Sequence, residues 1–280
     1  MTFSEVPPHS APIAIEDSPL ESARFGFRVG RLTAVEGTEF GAVALALERL
    51  EEFDLVILRY PSHQVRWFAA LDIAGHLPIH ADTLQYWTKE VGQPVVASAA
   101  ESRSDSMTKV ITRCAVRSDS DLIARMTSDV FAGYPNHYAA NPLIDPAWSL
   151  AGYVEWAASA VDGGAEHHRV IVAERSRSPV GFATINIDVD SVEVELAGVL
   201  IDARRSGVYQ ALLRAVDELT VEVGSTRWEI STQVGNTAVL RRWASHGMQP
   251  DKSCETVHLT RRSLLDALPS STSHSNDRTP

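Results

Sequence analysis

The sequence predicts an α/β fold in which a mixed, mostly antiparallel sheet is flanked by helices and preceded by a smaller α/β unit. Three observations predict it. The 280 residues exceed the roughly 150 of a typical domain, so two units are expected. The second half alternates period-two apolar segments with segments of helical spacing. Between the halves runs a polar stretch, AESRSDSM from Ala100 to Met107, which is read as a linker.

Composition narrows the class. Apolar residues make up 44% and charged residues 22% of the chain, a globular balance that excludes wholesale disorder, collagen and coiled coil. The net charge of −11 leaves no basic surplus for phosphate backbones or anionic lipid, so no nucleic acid and no membrane partner is expected. Apolar runs such as Val43 to Leu47 and Ala197 to Ile201 fall far short of the roughly 18 residues of a membrane helix. The first twenty residues lack the basic start and apolar run of a secretory signal, and the cysteines, Cys114 and Cys254, make neither a disulfide framework nor a zinc cage. The expected location is cytoplasmic, with both cysteines as small core residues.

The order of elements follows. Residues 1–20, rich in proline, and 263–280, rich in Ser and Thr, read as flexible ends, with a small α/β domain at 21–100 and a larger one at 108–262. In the first domain Phe40 to Leu50 has helical composition, Asp54 to Tyr60 is a β-branched run, and Gln64 to Ile73 places Val65, Phe68 and Ile73 on one face. In the second, Lys109 to Val116 is a strand and Ser120 to Ala132 a helix capped by Ser118 or Asp119, followed by a helix at Trp148 to Val161. His168 to Ala173 and Val180 to Ile187 form a hairpin. Val192, Val194 and Leu196 alternate with Glu193, Glu195 and Ala197, giving one apolar and one polar face. Val208, Leu212, Ala215, Leu219 and Val223 define a helix, Trp228 to Val234 a strand, Asn236 to His246 a short helix and Thr256 to Leu259 a closing strand.

The chemistry concentrates where the strand ending near Ile201 meets the helix at Gly207 through the turn DARRSGVY. Amides at a helix start lack internal acceptors and carry the positive end of the dipole, so such a turn suits a phosphate or pyrophosphate. Arg204 and Arg205 add guanidinium donors, and Gly207 allows close backbone approach. An ordinary turn with solvated arginines is the competing reading.

This turn resembles the acyl-CoA pyrophosphate loop of the GNAT acetyltransferase superfamily: Arg or Gln, two residues, Gly, one residue, Gly or Ala. Tyr209 stands where that pattern has the last small residue. Downstream, NTAVLRRWASHGM from Asn236 to Met248 resembles the superfamily's next signature, an Asn-started helix with an aromatic and a closing Gly. The segments at Leu20 to Arg31, at Ala139 to Val161 with Tyr153 and Trp156, and at Gln233 to Gly247 resemble more narrowly the dTDP-fucosamine acetyltransferase family, nucleotide amino-sugar N-acetyltransferases. The resemblance implies a GNAT fold behind a degenerate GNAT-like domain, with acetyl-CoA as co-substrate, and transfer of an acetyl group to a primary amine of a small molecule in a ternary complex.

The resemblance also implies roles. Val199, Leu200 and Ile201 offer amides to the pantetheine arm and thioester; Arg204, Arg205, Ser206, Gly207, Val208 and Tyr209 hold the pyrophosphate; Asn236 adds a contact. Glu193 or Glu195 accepts the amine's proton, with His137 as a further candidate base. His137, Tyr138 and Tyr153 lie where the acceptor is recognised. The related enzymes use a tyrosine as general acid where this chain has Trp243, and indole cannot give up that proton, so Tyr209 or Tyr138 stands in, water protonates the thiolate, or the chain binds CoA without catalysis. An antibiotic, amino acid or protein amine remains open as acceptor, as does a homodimer. No histidine pair has metal-ligand spacing, so no metal is expected.

Overall fold

The computed structural model describes residues 13–92, 110–162, 167–189 and 191–266. The expected linker at Ala100 to Met107 lies outside them. In the first half the elements are β1 (Glu16–Asp17), α1 (Pro19–Phe25), β2 (Val29–Thr33), α2 (Phe40–Ala46), β3 (Leu55–Pro61), α3 (Trp67–Ile73) and β4 (Pro78–Glu90). Then follow β5 (Val110–Cys114), α4 (Ser120–Phe131), α5 (Pro146–Asp162), β6 (His168–Arg175), β7 (Ser178–Ile187) and β8 (Val192–Val199). The chain continues with α6 (Val208–Glu222), β9 (Arg227–Gln233), α7 (Thr237–Ser245), β10 (Gln249–Thr260) and α8 (Arg262–Asp266).

Among the described residues ten strands join one sheet in the order β1-β2-β3-β10-β4-β9-β8-β7-β6-β5. Neighbours are antiparallel except β2 with β3 and β8 with β9. The two halves of the chain interleave here: β10 lies between β3 and β4, and β4 lies between β10 and β9. The first half therefore supplies a central strand to the sheet of the second.

Each sheet face carries its own cores. On one face α2 and α3 cover Leu32, Val56, Leu58, Val257 and Leu259, while α6 and α7 cover Val192, Val194, Trp228 and Ile230. On the other, α4 and α5 pack on Val170, Val172, Phe182 and Leu196, and α1 contributes Phe25 beside Val29 and Ile57. Between those last two cores the second face is polar, carrying Arg59, Thr256, Asp82, Tyr86, Glu229 and Glu193 on successive strands from β3 to β8.

Several sequence expectations are corrected. In α3 the buried residues are Trp67 and Leu71, while Val65 and Ile73 are 80% and 87% exposed; one helical turn suffices to reach the core, and the bulky indole takes the place assigned to Val65. Cys114 is exposed, because it sits on the edge strand β5. The strand β4 has no counterpart in the sequence reading. Glu16, Asp17 and the start of α1 lie in the stretch expected to be flexible, and α8 overlaps the expected tail. Among the described residues no helix is long and apolar enough to cross a membrane.

Candidate active site

A β-bulge opens the site. In the β7–β8 ladder Thr184 faces Leu196 and Ile185 faces Val194, which leaves Glu195 as an extra residue on β8. A bulge bends its strand and re-aims the side chains beyond it. Accordingly β8 pairs with β9 only from Val192 to Val194, and the strands part from Glu195 onward. The bulge also overturns the expected alternation: Val192 and Val194 pack beneath α6, whereas Leu196 packs with Phe182 on the opposite face and Ala197 contacts the α6 core.

The gap between β8 and β9 leads to the predicted loop. The Leu200 amide donates to the Val180 carbonyl at 2.9 Å, so Leu200 is corrected as an amide donor to a ligand. Alternate residues of an antiparallel strand turn their amides the other way, which directs Val199 into the gap. Ile201 is 74% exposed, an apolar lip at the strand end. Beyond it the chain makes a short turn, with Arg205 at φ 63° and Gly207 at φ 84°, before α6 begins at Val208. Arg204 to Gly207 are exposed. Among the described residues none of the amides from Arg205 to Gln210 has an acceptor; the first to be used in α6 is that of Ala211, bonded to Gly207. Arg204 lies back over the strand end, its Nε 3.4 Å from the Val199 carbonyl, and the Ser206 hydroxyl donates to Ala203.

Hydroxyls and aromatic rings are hydrogen-bonded to one another near the ends of α4, α6 and α7. Trp243, 1% exposed, donates its indole N–H to the Tyr209 hydroxyl at 3.0 Å, so the two residues singled out on separate helices meet. Burial raises the Tyr209 phenol, with the Trp243 bond opposing that rise. Tyr134, three residues past the end of α4, donates to Gln233 on β9 and lies 3.4 Å from the Thr232 hydroxyl. Asn236 does not use its side chain to cap α7; its amide donates to Thr232 at 3.1 Å instead.

Two carboxylates lie on β8 on the side away from α6, Glu193 and Glu195. Burial, aided by Glu229 and Glu195, pushes Glu193 up to about 7, and burial pushes Glu195 to about 7 against the opposing Trp156 indole. Both Glu195 oxygens are shielded from solvent. A buried carboxyl of this kind is poised to exchange a proton near neutrality.

The remaining predicted residues lie in and beneath the α4–α5 connection. His137 is 6% exposed, with Nδ1 3.0 Å from Nε2 of His258 on β10. Burial lowers both imidazoles, His258 to about 3 against the opposing Glu21 charge and His137 well below its usual range, with Arg59 and Arg31 adding to both. Tyr138 donates to Glu21 and receives Arg31 at 3.3 Å, so its hydroxyl is engaged with α1 and β2. Tyr153 stacks on Phe131 with ring centroids 4.9 Å apart. Sequence reasoning missed Tyr134, Gln233 and every residue from the first half, notably Arg59 and Asp82, since no local motif marks them. Among the described residues no group of three or more His, Cys, Asp or Glu is placed to hold a metal.

A strand pair opened by a bulge lies beside a helix whose first amides stay available. Residues 134–248 match the family model described as acetyltransferase (GNAT) family. No curated protein sequence is significantly similar to the chain. Among solved structures, a functionally unknown conserved protein from Staphylococcus epidermidis superposes with a TM-score of 0.59 at 11% identity, over 93% of this chain and 98% of that one. A GCN5-related N-acetyltransferase from Kribbella flavida gives 0.55 at 16% identity, over 85% and 84%. A tandem GNAT protein from the clavulanic acid biosynthesis pathway gives 0.53 at 12% identity, over 84% and 78%. These likenesses establish the GNAT fold.

Proposed function

We propose that the chain is an acyl-CoA-dependent N-acyltransferase that moves an acetyl group from acetyl-CoA to a primary amine of a small molecule. The observation that carries this reading is the bulge at Glu195, which opens β8 from β9 above a loop of unpaired, exposed amides. The loop from Arg205 to Gln210 would take the pyrophosphate, with Arg204 and Arg205 as charged flanks. The Val199 amide faces the gap where the pantetheine and thioester would lie. Both reactants are held together, so the entropic cost of their encounter is met in binding.

In this reading Glu195 takes the ammonium proton, the amine attacks the thioester carbonyl, and the collapsing intermediate expels the CoA thiolate. Tyr209 protonates that thiolate, its oxygen held by the Trp243 N–H. The acceptor class that the sequence resemblance implies is an amino sugar, in the related family one carried on a nucleotide. Thiol release with acetyl-CoA across a panel of amines, dTDP-amino sugars included, tests the reading: turnover is expected, and its absence with every amine would defeat it. Trp243 at the position of the usual acid favours a second reading, a CoA-binding regulatory protein. Calorimetry separates the two, since tight acetyl-CoA binding without turnover belongs only to the second.

A further inference from the structure

The first turn of α6 is gripped by α7 at two consecutive residues, of which the transfer chemistry uses one. Trp243 holds the Tyr209 hydroxyl at 3.0 Å. Three positions on, where side chains of a helix share a face, His246 lies with Nδ1 2.7 Å from Nε2 of Gln210. The Gln210 backbone amide is the last in the loop without an acceptor among the described residues.

His246 is itself fixed from behind. Its side chain is 5% exposed, and its Nε2 lies 2.9 Å from Oδ2 of Asp217, about two turns along α6 from Gln210. Lys89 on β4 donates to the same oxygen at 2.6 Å and stands 3.0 Å from the imidazole Nε2, while the Trp228 indole donates to the other oxygen at 2.9 Å. An ionised Asp217 among these donors can only accept, so Nε2 carries the imidazole proton and aims it at the carboxylate. Nδ1 is left with a lone pair, and the Gln210 carboxamide must turn its NH2 group toward it. The first half of the chain supports both grips. Trp87 and Lys89 are two apart on β4 and share one face; Trp87 packs against Trp243 with ring centroids 6.2 Å apart, and Lys89 anchors the Asp217–His246 pair. A continuous series of hydrogen bonds thus runs from the interleaved strand through Asp217 and His246 to Gln210.

We infer that His246 is a positioning residue for acyl-CoA: acting through Gln210, it fixes the first turn of α6 so that the amides from Arg205 to Gln210 are aimed at the pyrophosphate before it arrives. Groups ordered in advance lose less freedom on binding, so affinity rises without a new contact to the ligand. His246 itself touches neither reactant. The inference rests on the pyrophosphate loop of the proposed function, and it gives the first half of the chain a part in coenzyme binding through Lys89.

The test compares acetyl-CoA with acetyl-pantetheine, which carries the thioester without the pyrophosphate, on the full chain and its variants. His246→Ala is expected to weaken acetyl-CoA binding in calorimetry and to raise its KM by about tenfold, the worth of one hydrogen bond. Because Trp243 still holds Tyr209, kcat at saturation should stay unchanged, as should the KM of acetyl-pantetheine. His246→Asn, whose Oδ1 takes the place of the imidazole Nδ1, should restore the affinity. His246→Gln, whose Nε2 restores only the bond to Asp217, should not. Gln210→Ala should match His246→Ala, and the double variant should be no weaker than either. An unchanged acetyl-CoA affinity in His246→Ala, an equal loss with both thioesters, or rescue by Gln in place of Asn overturns the inference. If His246→Ala does not fold, the contrast between Asn and Gln and the Gln210→Ala variant decide it. His246-dependent acetyl-CoA binding without transfer to any amine sustains the inference and defeats the transferase reading. Transfer with an affinity indifferent to His246 does the reverse, and an intact chain that binds no acetyl-CoA overturns both.

Discussion

Glu195 illustrates what a single residue inherits from its surroundings. As a sequence position it is one of two glutamates on an alternating strand; as the extra residue of a bulge it is shielded, and burial pushes it up to about 7. As the proposed base Glu195 must be deprotonated to act, so kcat/KM is expected to rise with pH through an apparent pKa near 7. Glu193, also near 7, is coupled to it, so the limb belongs to the pair. Glu195→Gln should lower kcat by about 10²- to 10⁴-fold and flatten that limb; a pH–rate profile checks both. Tyr209→Phe should lower kcat with little change in acetyl-CoA affinity, measured by calorimetry beside steady-state rates. His137 and Tyr138 lie in the connection between α4 and α5. Their buried partners, His258 and Glu21, are more than a hundred positions away in the chain, and no local pattern announces them.

At the scale of elements, the loop before α6 was readable because its ingredients are contiguous: a strand end, two arginines, a glycine at positive φ and a helix start. Arg204→Ala with Arg205→Ala should weaken acetyl-CoA binding, each charge-assisted contact being worth about 1.5–3 kcal/mol; an unchanged dissociation constant would displace the pyrophosphate from this loop. The opening of β8 was not readable, since a bulge arises from two strands compared with one another. Its packing has a precise point of tightness at Gly198, where an added Cβ would lie 2.3 Å from Cγ1 of Val130 on α4. Gly198→Ala should therefore destabilise the fold by about 1–3 kcal/mol through overpacking, read as a lowered denaturation midpoint. The strand β4 escaped notice because its burial is intermediate along nearly its whole length. Asp82 and Tyr86 make one of its faces polar, and neither face offers a clean apolar stripe.

The whole molecule is tied together by strand exchange and by a polar latch. Lys89 on β4 donates to Asp217 on α6 at 2.6 Å, and Asp217 also receives the Trp228 indole at 2.9 Å and lies 2.9 Å from His246. Burial opposes ionisation of Asp217, but His246, Lys89 and Trp228 outweigh it and hold the carboxyl below its ordinary range. Glu21 is likewise lowered, burial being overcome by Arg31, Ser18 and Tyr138. A carboxylate depressed in the folded state contributes stability above its unfolded pKa of about 4 and loses it as the pH falls toward the folded value. Acid unfolding is expected below about pH 4, and Asp217→Ala should cost about 1–3 kcal/mol and shallow the acid dependence, as denaturant titrations at several pH values would register. Because β4 and β10 interleave the two halves, thermal unfolding should show one cooperative transition. The sequence by itself determined the α/β class, the order of strands and helices after residue 110, and the arginine-flanked turn, since each depends on neighbours within a few residues. Only the tertiary structure decided that β4 enters the second half's sheet and that Glu195 sits in a bulge. Those outcomes depend on which strands pair and in what register, a choice made by packing across the whole sheet.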